Sequence, residues 1–147
     1  MRPPITFFVA GLPKAQPRAK ASSFGGFTRV YTPKGGHDDW KMIVRDEART
    51  AHNGRAKWEG PLCVNLTFYF PRPKNHFNSK GHLKDSAPKW HTAKPDRDNS
   101  DKAILDTLTN LGIWNDDKQV CDGTIRKFYT LSDNGTPGCL IEIREAE

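Results

Sequence analysis

Cysteine is scarce in this 147-residue chain and poorly placed for chemistry: there are three, Cys63, Cys121 and Cys139, an odd number with no two close together. A disulfide framework needs pairs and a structural zinc site needs C-x-x-C-like spacing, so the pattern argues against both. It leaves buried free thiols in a reducing compartment. Long apolar runs are missing too. The run Ile5–Ala10 is too short for a signal-peptide core and far too short to span a bilayer. The expectation is a cytoplasmic protein with no membrane partner. The five histidines, His37, His52, His76, His82 and His91, show no H-E-x-x-H or comparable ligand spacing, which argues against histidine-based metal chemistry. No internal repeat is visible.

What is present is polar but able to fold. Hydrophobic residues make up 35% of the chain and mean hydropathy is −0.74. A chain of this length buries one real core but not two, so a single domain over residues 1–147 is expected. Acidic residues are short in supply, and the shortage is local. Met1–Gly36 holds Arg2, Lys14, Arg18, Lys20, Arg29 and Lys34 and no acid, while Pro71–Pro95 holds Arg72, Lys74, Lys80, Lys84, Lys89 and Lys94 against Asp85 alone. With a net charge of +6 and a pI near 9.3, two basic arms point to a polyanionic partner, nucleic acid.

Ile5–Ala10 and Phe27–Thr32 read as strands, joined by a Gly-, Pro- and Lys-rich connection, Gly11–Lys20, better suited to contact than to support. Asp38 or Asp39 is placed to cap a helix carrying Trp40, Ile43, Val44, Ala48 and Ala51 at helical spacing, and Asn53-Gly54 stops it. Leu62–Phe70 alternates regularly, with Leu62, Val64, Leu66, Phe68 and Phe70 on one face. From about 71 to 95 no period survives, which predicts a mobile, basic loop that orders on nucleic acid. A helix follows from about Asn99 to Leu111. Asp98 is its expected N-cap, Asp101 lies in its first turn, Ile104, Leu105, Leu108 and Leu111 form its buried stripe, and Gly112 its C-cap. Strands near Thr124–Leu131 and Cys139–Ile143 are predicted to form a hairpin through Ser132-Asp133-Asn134-Gly135. Interleaved strands and helices imply an α/β or α+β domain: a mixed sheet with two main helices.

Against that basic background, Asp96, Asp98, Asp116 and Asp117 need a reason. A chain that grips phosphates with lysine and arginine gains nothing from carboxylates there unless a divalent cation lies between carboxylate and phosphate. Asp96 and Asp98 are two apart in a stretch expected to be extended, so both side chains can face one cation. Lys102 lies one helical turn beyond Asp98 and can hover over the same place, and Asp116 and Asp117 can add a third carboxylate if the chain doubles back after the helix. The plainer reading is an N-cap with a solvated neighbour, followed by turn chemistry at Asn115-Asp116-Asp117.

Taken together, Lys94-Pro95-Asp96-Arg97-Asp98-Asn99, Lys102-Ala103-Ile104-Leu105-Asp106-Thr107-Leu108 and Trp114-Asn115-Asp116-Asp117-Lys118-Gln119-Val120 resemble the RusA-type Holliday junction resolvases, endodeoxyribonucleases common in bacteriophages and prophages. Gly11–Arg18 is similar, more loosely, to the family's early basic stretch. The resemblance implies a small α/β protein acting as a homodimer, each subunit using Mg²⁺, with Mn²⁺ as a substitute, to nick one strand of a four-way DNA junction. No small-molecule cofactor is implied. Carried over by residue, Asp96, Asp98 and Asp117 would bind metal, Asp116 would support them, and Lys102 would be the catalytic lysine. Lys127 stands where the family commonly has a lysine and is a candidate contact to the phosphate backbone. Lys14, Arg18, Lys20 and Lys94 are the other candidate DNA contacts, with Phe77 or Trp90 as possible stacking residues and Trp40, Phe7 or Phe8 as dimer-interface residues. The alternatives are a non-catalytic DNA-binding module and a Mg²⁺-dependent nuclease for other branched or single-stranded DNA.

Overall fold

The computed structural model describes residues 1–16, 20–24, 27–31 and 37–147, with side chains described for 1–16 and 39–147. The strand Leu62–Phe70 (β4) organises the molecule. Its alternate side chains Leu62, Val64, Leu66, Phe68 and Phe70 are all buried, as the alternation predicts. Each contributes roughly 1.5–3 kcal/mol on leaving water, so the strand is driven to the middle of the sheet, where both of its edges find partners.

On one side β4 pairs antiparallel with Gly138–Glu145 (β7), which pairs antiparallel with Ile5–Ala10 (β1). On the other side it pairs in parallel with two short strands in succession, Val120–Asp122 (β5) and Ile125–Tyr129 (β6). The result is a mixed five-stranded sheet. The register stacks Val64 against Ile143, Leu66 against Ile141 and Phe68 against Cys139, and continues that apolar face to Ile5 and Val9. Two helices, His37–His52 (α1) and Arg97–Leu111 (α2), cover it, with Trp40, Val44, Ala48, Ile104 and Leu108 closing one core. The molecule is therefore a single α+β domain.

Several sequence expectations change. The chain does turn at Ser132–Gly135, where the Gly135 N–H donates to the Ser132 carbonyl at 3.2 Å. The flanking strands do not form a hairpin, because β4 lies between β6 and β7. An Asn-Gly step reports a local reversal, whereas pairing is decided by which strand has the most apolar surface to bury. The connection between the first two predicted strands contains one of its own, Lys20–Phe24 (β2), which pairs with Phe27–Tyr31 (β3) in a separate two-stranded sheet. Asp38 and Asp39 lie inside the first turn of α1 rather than capping it. Trp40 is 1% exposed, so it belongs to the core and cannot serve a dimer interface.

Between β5 and β6, Gly123 has φ +136°, and a Cβ there would overlap the Val64 carbonyl oxygen. This glycine lets the chain pass close over the Val64 carbonyl from β5 to β6 in unchanged register, Asp122 facing Cys63 and Ile125 facing Leu66, while the extra residue of the edge strand is Cys121, between Val120 and Asp122.

Candidate active site

The helix α2 begins one residue after Asp96, which is its N-cap, and Asp98 is in the first turn. Asp98 was expected to cap the helix and does not. The Asp96 backbone carbonyl accepts from the Ser100 N–H at 3.0 Å and from the Ser100 hydroxyl at 2.9 Å, while its carboxylate makes no capping bond. Buried Ser100 reinforces the first turn by bonding back to that carbonyl, and the exposed Asp96 carboxylate takes no part in capping. The two aspartates sit at the N-cap and second helical positions, not two apart along an extended segment.

The far end of α2 is terminated by Gly112 in the left-handed region, φ 85°, as expected. The chain then doubles back. Trp114 is fully buried, its indole N–H donates to the Thr109 hydroxyl at 2.7 Å, and the Trp58 N–H donates to the Ile113 carbonyl at 2.8 Å. A 3-10 turn, Asp117–Gln119, follows under a capping box. Asp116 accepts from the Lys118 N–H, and Gln119 Oε1 accepts from the Asn115 and Asp116 N–H groups while its amide donates to the Trp58 and Gly60 carbonyls. Asp116 is therefore occupied in holding the turn, and Asp117 beside it is exposed.

This return brings Asp117 alongside the middle of α2. Its carboxyl is held above the usual range by the hydrogen bond that it donates, when protonated, to the Asp116 carboxylate, then by burial and the charges of Asp116 and Asp106, with Lys102 acting the other way. Asp116 is held low, first by the Lys118 N–H. The Lys102 ammonium pairs with Asp106 at 3.2 Å. Between the two ends of the helix stands Asp101, pushed up to about 6 by burial and by the charges of Asp117 and Asp98, against Arg97. Asp101 thus has both Asp98 and Asp117 among the charges acting on it. Its importance was missed in the sequence, where it read only as a favourable charge in a first helical turn. The available signal was the i, i+3 step from Asp98.

Asp96 lies at the rim of a cleft of about 590 Å³ lined by Lys14, Phe70, His91, Lys94, Pro95 and Asn99 among others. Lys14 and Lys94 are exposed. Lys127 donates to the Ala93 carbonyl at 2.9 Å, and its pKa is lowered by burial while Asp96 opposes that. Arg18 lies outside the described residues, as does the Lys20 side chain. The segment 71–95 has structure that its composition did not announce: a 3-10 turn at Lys74–His76, a bridge between Phe77 and Leu83, and Arg72 donating to the Thr130 and Pro88 carbonyls.

Among the described residues no three acidic, histidine or cysteine side chains already surround one point. The donor set nevertheless suits a hard divalent cation: carboxylate oxygens only, exposed at Asp96, Asp98 and Asp117, with the charges of Asp98 and Asp117 both acting on Asp101. The family model for endodeoxyribonuclease RusA matches residues 10–144. The chain belongs to the RusA family. It is also 36% identical over 129 residues to the uncharacterized protein YqaN of Bacillus subtilis (strain 168), covering 86% of this chain and 88% of that one. As a RusA-family protein it is an endodeoxyribonuclease, and no described helix is long and apolar enough to cross a membrane.

Two shifted groups give this RusA-family site opposing pH dependences. His91 is buried and stacked on Phe70 at 3.9 Å, and burial followed by Lys127 lowers its pKa to about 4 from 6.5. The unfolded chain binds that proton more readily, so His91 makes stability fall as pH drops from 6.5 toward 4. Asp101, raised from 3.8 to about 6, binds a proton more readily when folded and makes stability fall as pH rises across that window. His91→Phe should therefore leave a protein whose urea midpoint declines from pH 4 to 6, and Asp101→Asn one whose midpoint climbs. Unchanged slopes in both variants would refute the assignment.

Proposed function

We propose that the chain is a Mg²⁺-dependent, structure-selective nuclease that resolves four-way DNA junctions by paired nicks from a homodimer. The observation that carries the reading is the reversal after Gly112, which brings the turn bearing Asp117 back against α2, where Asp101, Lys102 and Asp106 share its electrostatics. Asp96, Asp98 and Asp117 would hold Mg²⁺, or Mn²⁺ in its place. When bound, the ion supplies charge neutralisation at the scissile phosphate and a water of lowered pKa.

The rest is done by the chain. Lys102, the catalytic lysine of this reading, carries an exposed ammonium between Asp106 and Asp117, where it offsets negative charge that builds on the phosphate. Asp116 fixes the turn that presents Asp117. Lys127 anchors the Ala93 carbonyl and so steadies the chain entering Asp96; it is a contact to the phosphate backbone in this reading. Lys14 and Lys94, on the same cleft as Asp96, bind flanking phosphates, with Arg18, Lys20 and the other basic residues of segment 71–95 extending the grip. Two-fold symmetry of a four-way junction calls for two active sites, hence the homodimer.

The test is incubation of the purified protein with labelled four-way, Y-shaped and linear duplex DNA, with Mg²⁺ or with chelator. Paired nicks in the four-way junction alone, and only with metal, support the reading. Cleavage of flaps or single strands instead assigns another metal-dependent nuclease, and binding without cleavage assigns a non-catalytic module.

A further inference from the structure

Residues 89–91 lie along the outer edge of β6. The His91 N–H donates to the Lys127 carbonyl and the Tyr129 N–H to the Lys89 carbonyl, both at 2.9 Å, and Trp90 bridges antiparallel to Phe128. Because side chains alternate along such a segment, His91 turns into the core against Phe70 while Trp90 turns outward. There the indole stacks on Phe128, with ring centroids 4.4 Å apart and planes at 30°. It is fixed from beneath, yet it remains 53% exposed.

Its surroundings are selective. Trp90 lines a cleft of about 410 Å³ with Arg97, Gly123, Thr124, Ile125 and Arg126, a lining with two guanidinium groups and no carboxylate. The Lys89 ammonium lies 5.8 Å from the Trp90 ring centre and 5.2 Å from that of Phe128. Arg97 stands between Asp96 and Asp98 in the chain, so this cleft adjoins the acidic face. A held, solvent-facing indole rimmed by cations matches a planar base attached to phosphates, the arrangement that single-stranded nucleic acid uses on aromatic platforms. A protein partner would also use tryptophan, but two arginines in a carboxylate-free lining beside a nuclease site favour the nucleotide.

We propose that Trp90 is a stacking platform for an unpaired base of the DNA substrate, with Arg97 and Arg126 binding the phosphates on either side of it. The proposal rests on the chain acting on DNA, and it specifies the substrate feature recognised: a nucleotide released from its helix next to the cut. It separates a branched or frayed substrate from a continuous duplex, which offers no unpaired base.

The test compares wild type with W90A, W90L and W90F, the leucine covering Phe128 without a π face and the phenylalanine keeping one. Affinity is measured for a four-way junction, a single strand and a relaxed, covalently closed circular duplex, alongside quenching of 2-aminopurine in the single strand. W90A and W90L should bind the junction and single strand about tenfold more weakly, with W90F close to wild type and duplex affinity the same in all four. Equal affinities throughout, a W90L indistinguishable from wild type, or an equal loss on closed duplex would overturn the platform. If wild type cuts junctions while the Trp90 variants bind normally, the platform falls and the resolvase reading stands. If wild type cuts no junction but W90A and W90L lose the single strand, the resolvase reading falls and the platform stands. Binding of neither DNA by wild type defeats both.

Discussion

Asp117→Asn should remain folded, hold a four-way junction as well as wild type or more tightly, and lose nicking on the order of a thousandfold. The side chain is exposed and the turn beneath it is built by Asp116 and Gln119, so removing one charge leaves the turn's hydrogen bonds in place. What changes is the charge balance. Less negative charge faces an incoming phosphate, which favours binding, while one oxygen ligand in the proposed set becomes a neutral amide. A second effect comes with the first: Asp101 loses a like-charged neighbour, and its pKa should fall back toward the ordinary carboxylate range. Asp96→Asn is the companion, with the same loss of nicking expected. Because Asp96 is not among the charges acting on Asp101, that variant should leave the acid-range titration where it is. Junction-nicking time courses, gel-shift affinity and carboxyl titration by NMR distinguish the two, and an Asp117→Asn protein that nicks at the wild-type rate removes Asp117 from the reaction.

The features legible from the sequence are those decided within a few residues. The alternation of β4 and the Gly112 cap depend on local periodicity and on one residue's freedom at positive φ, and both stand in the structure. Where two segments compete for the same partner, local signals fail. The Asn134-Gly135 turn is real, yet β6 and β7 both take edges of β4 because β4 has the larger apolar face. The same holds at the site. That Asp96 and Asp98 begin α2 was visible; that the helix starts directly after Asp96, which makes Asp96 and not Asp98 the N-cap, was not. The prominence of Asp101 comes first from its burial and then from Asp117, and that of Trp90 from Phe128, partners that no window around either residue contains.

Trp114→Ala should lower stability by about 3–5 kcal/mol, a large share of what a domain of this size has in total, with a fall in melting temperature on the order of 10 °C. Trp114 is among the largest fully buried side chains, and its removal opens a cavity between the end of α2 and the chain at Trp58. Its contribution divides into packing and one hydrogen bond. Thr109→Val removes only the acceptor of the indole N–H and should cost about 1–2 kcal/mol, because that donor is then left without its partner in the protein interior. Function should divide the same way. Trp114 fixes the reversal that carries Asp117 back along α2, so Trp114→Ala measured at 20 °C, where circular dichroism shows it folded, should nick far more slowly than its folded fraction predicts. Thr109→Val should nick in proportion to its folded fraction. If Trp114→Ala instead nicks at the rate its folded fraction allows, the reversal does not place Asp117, and the approach of that carboxylate to Asp101 has another cause.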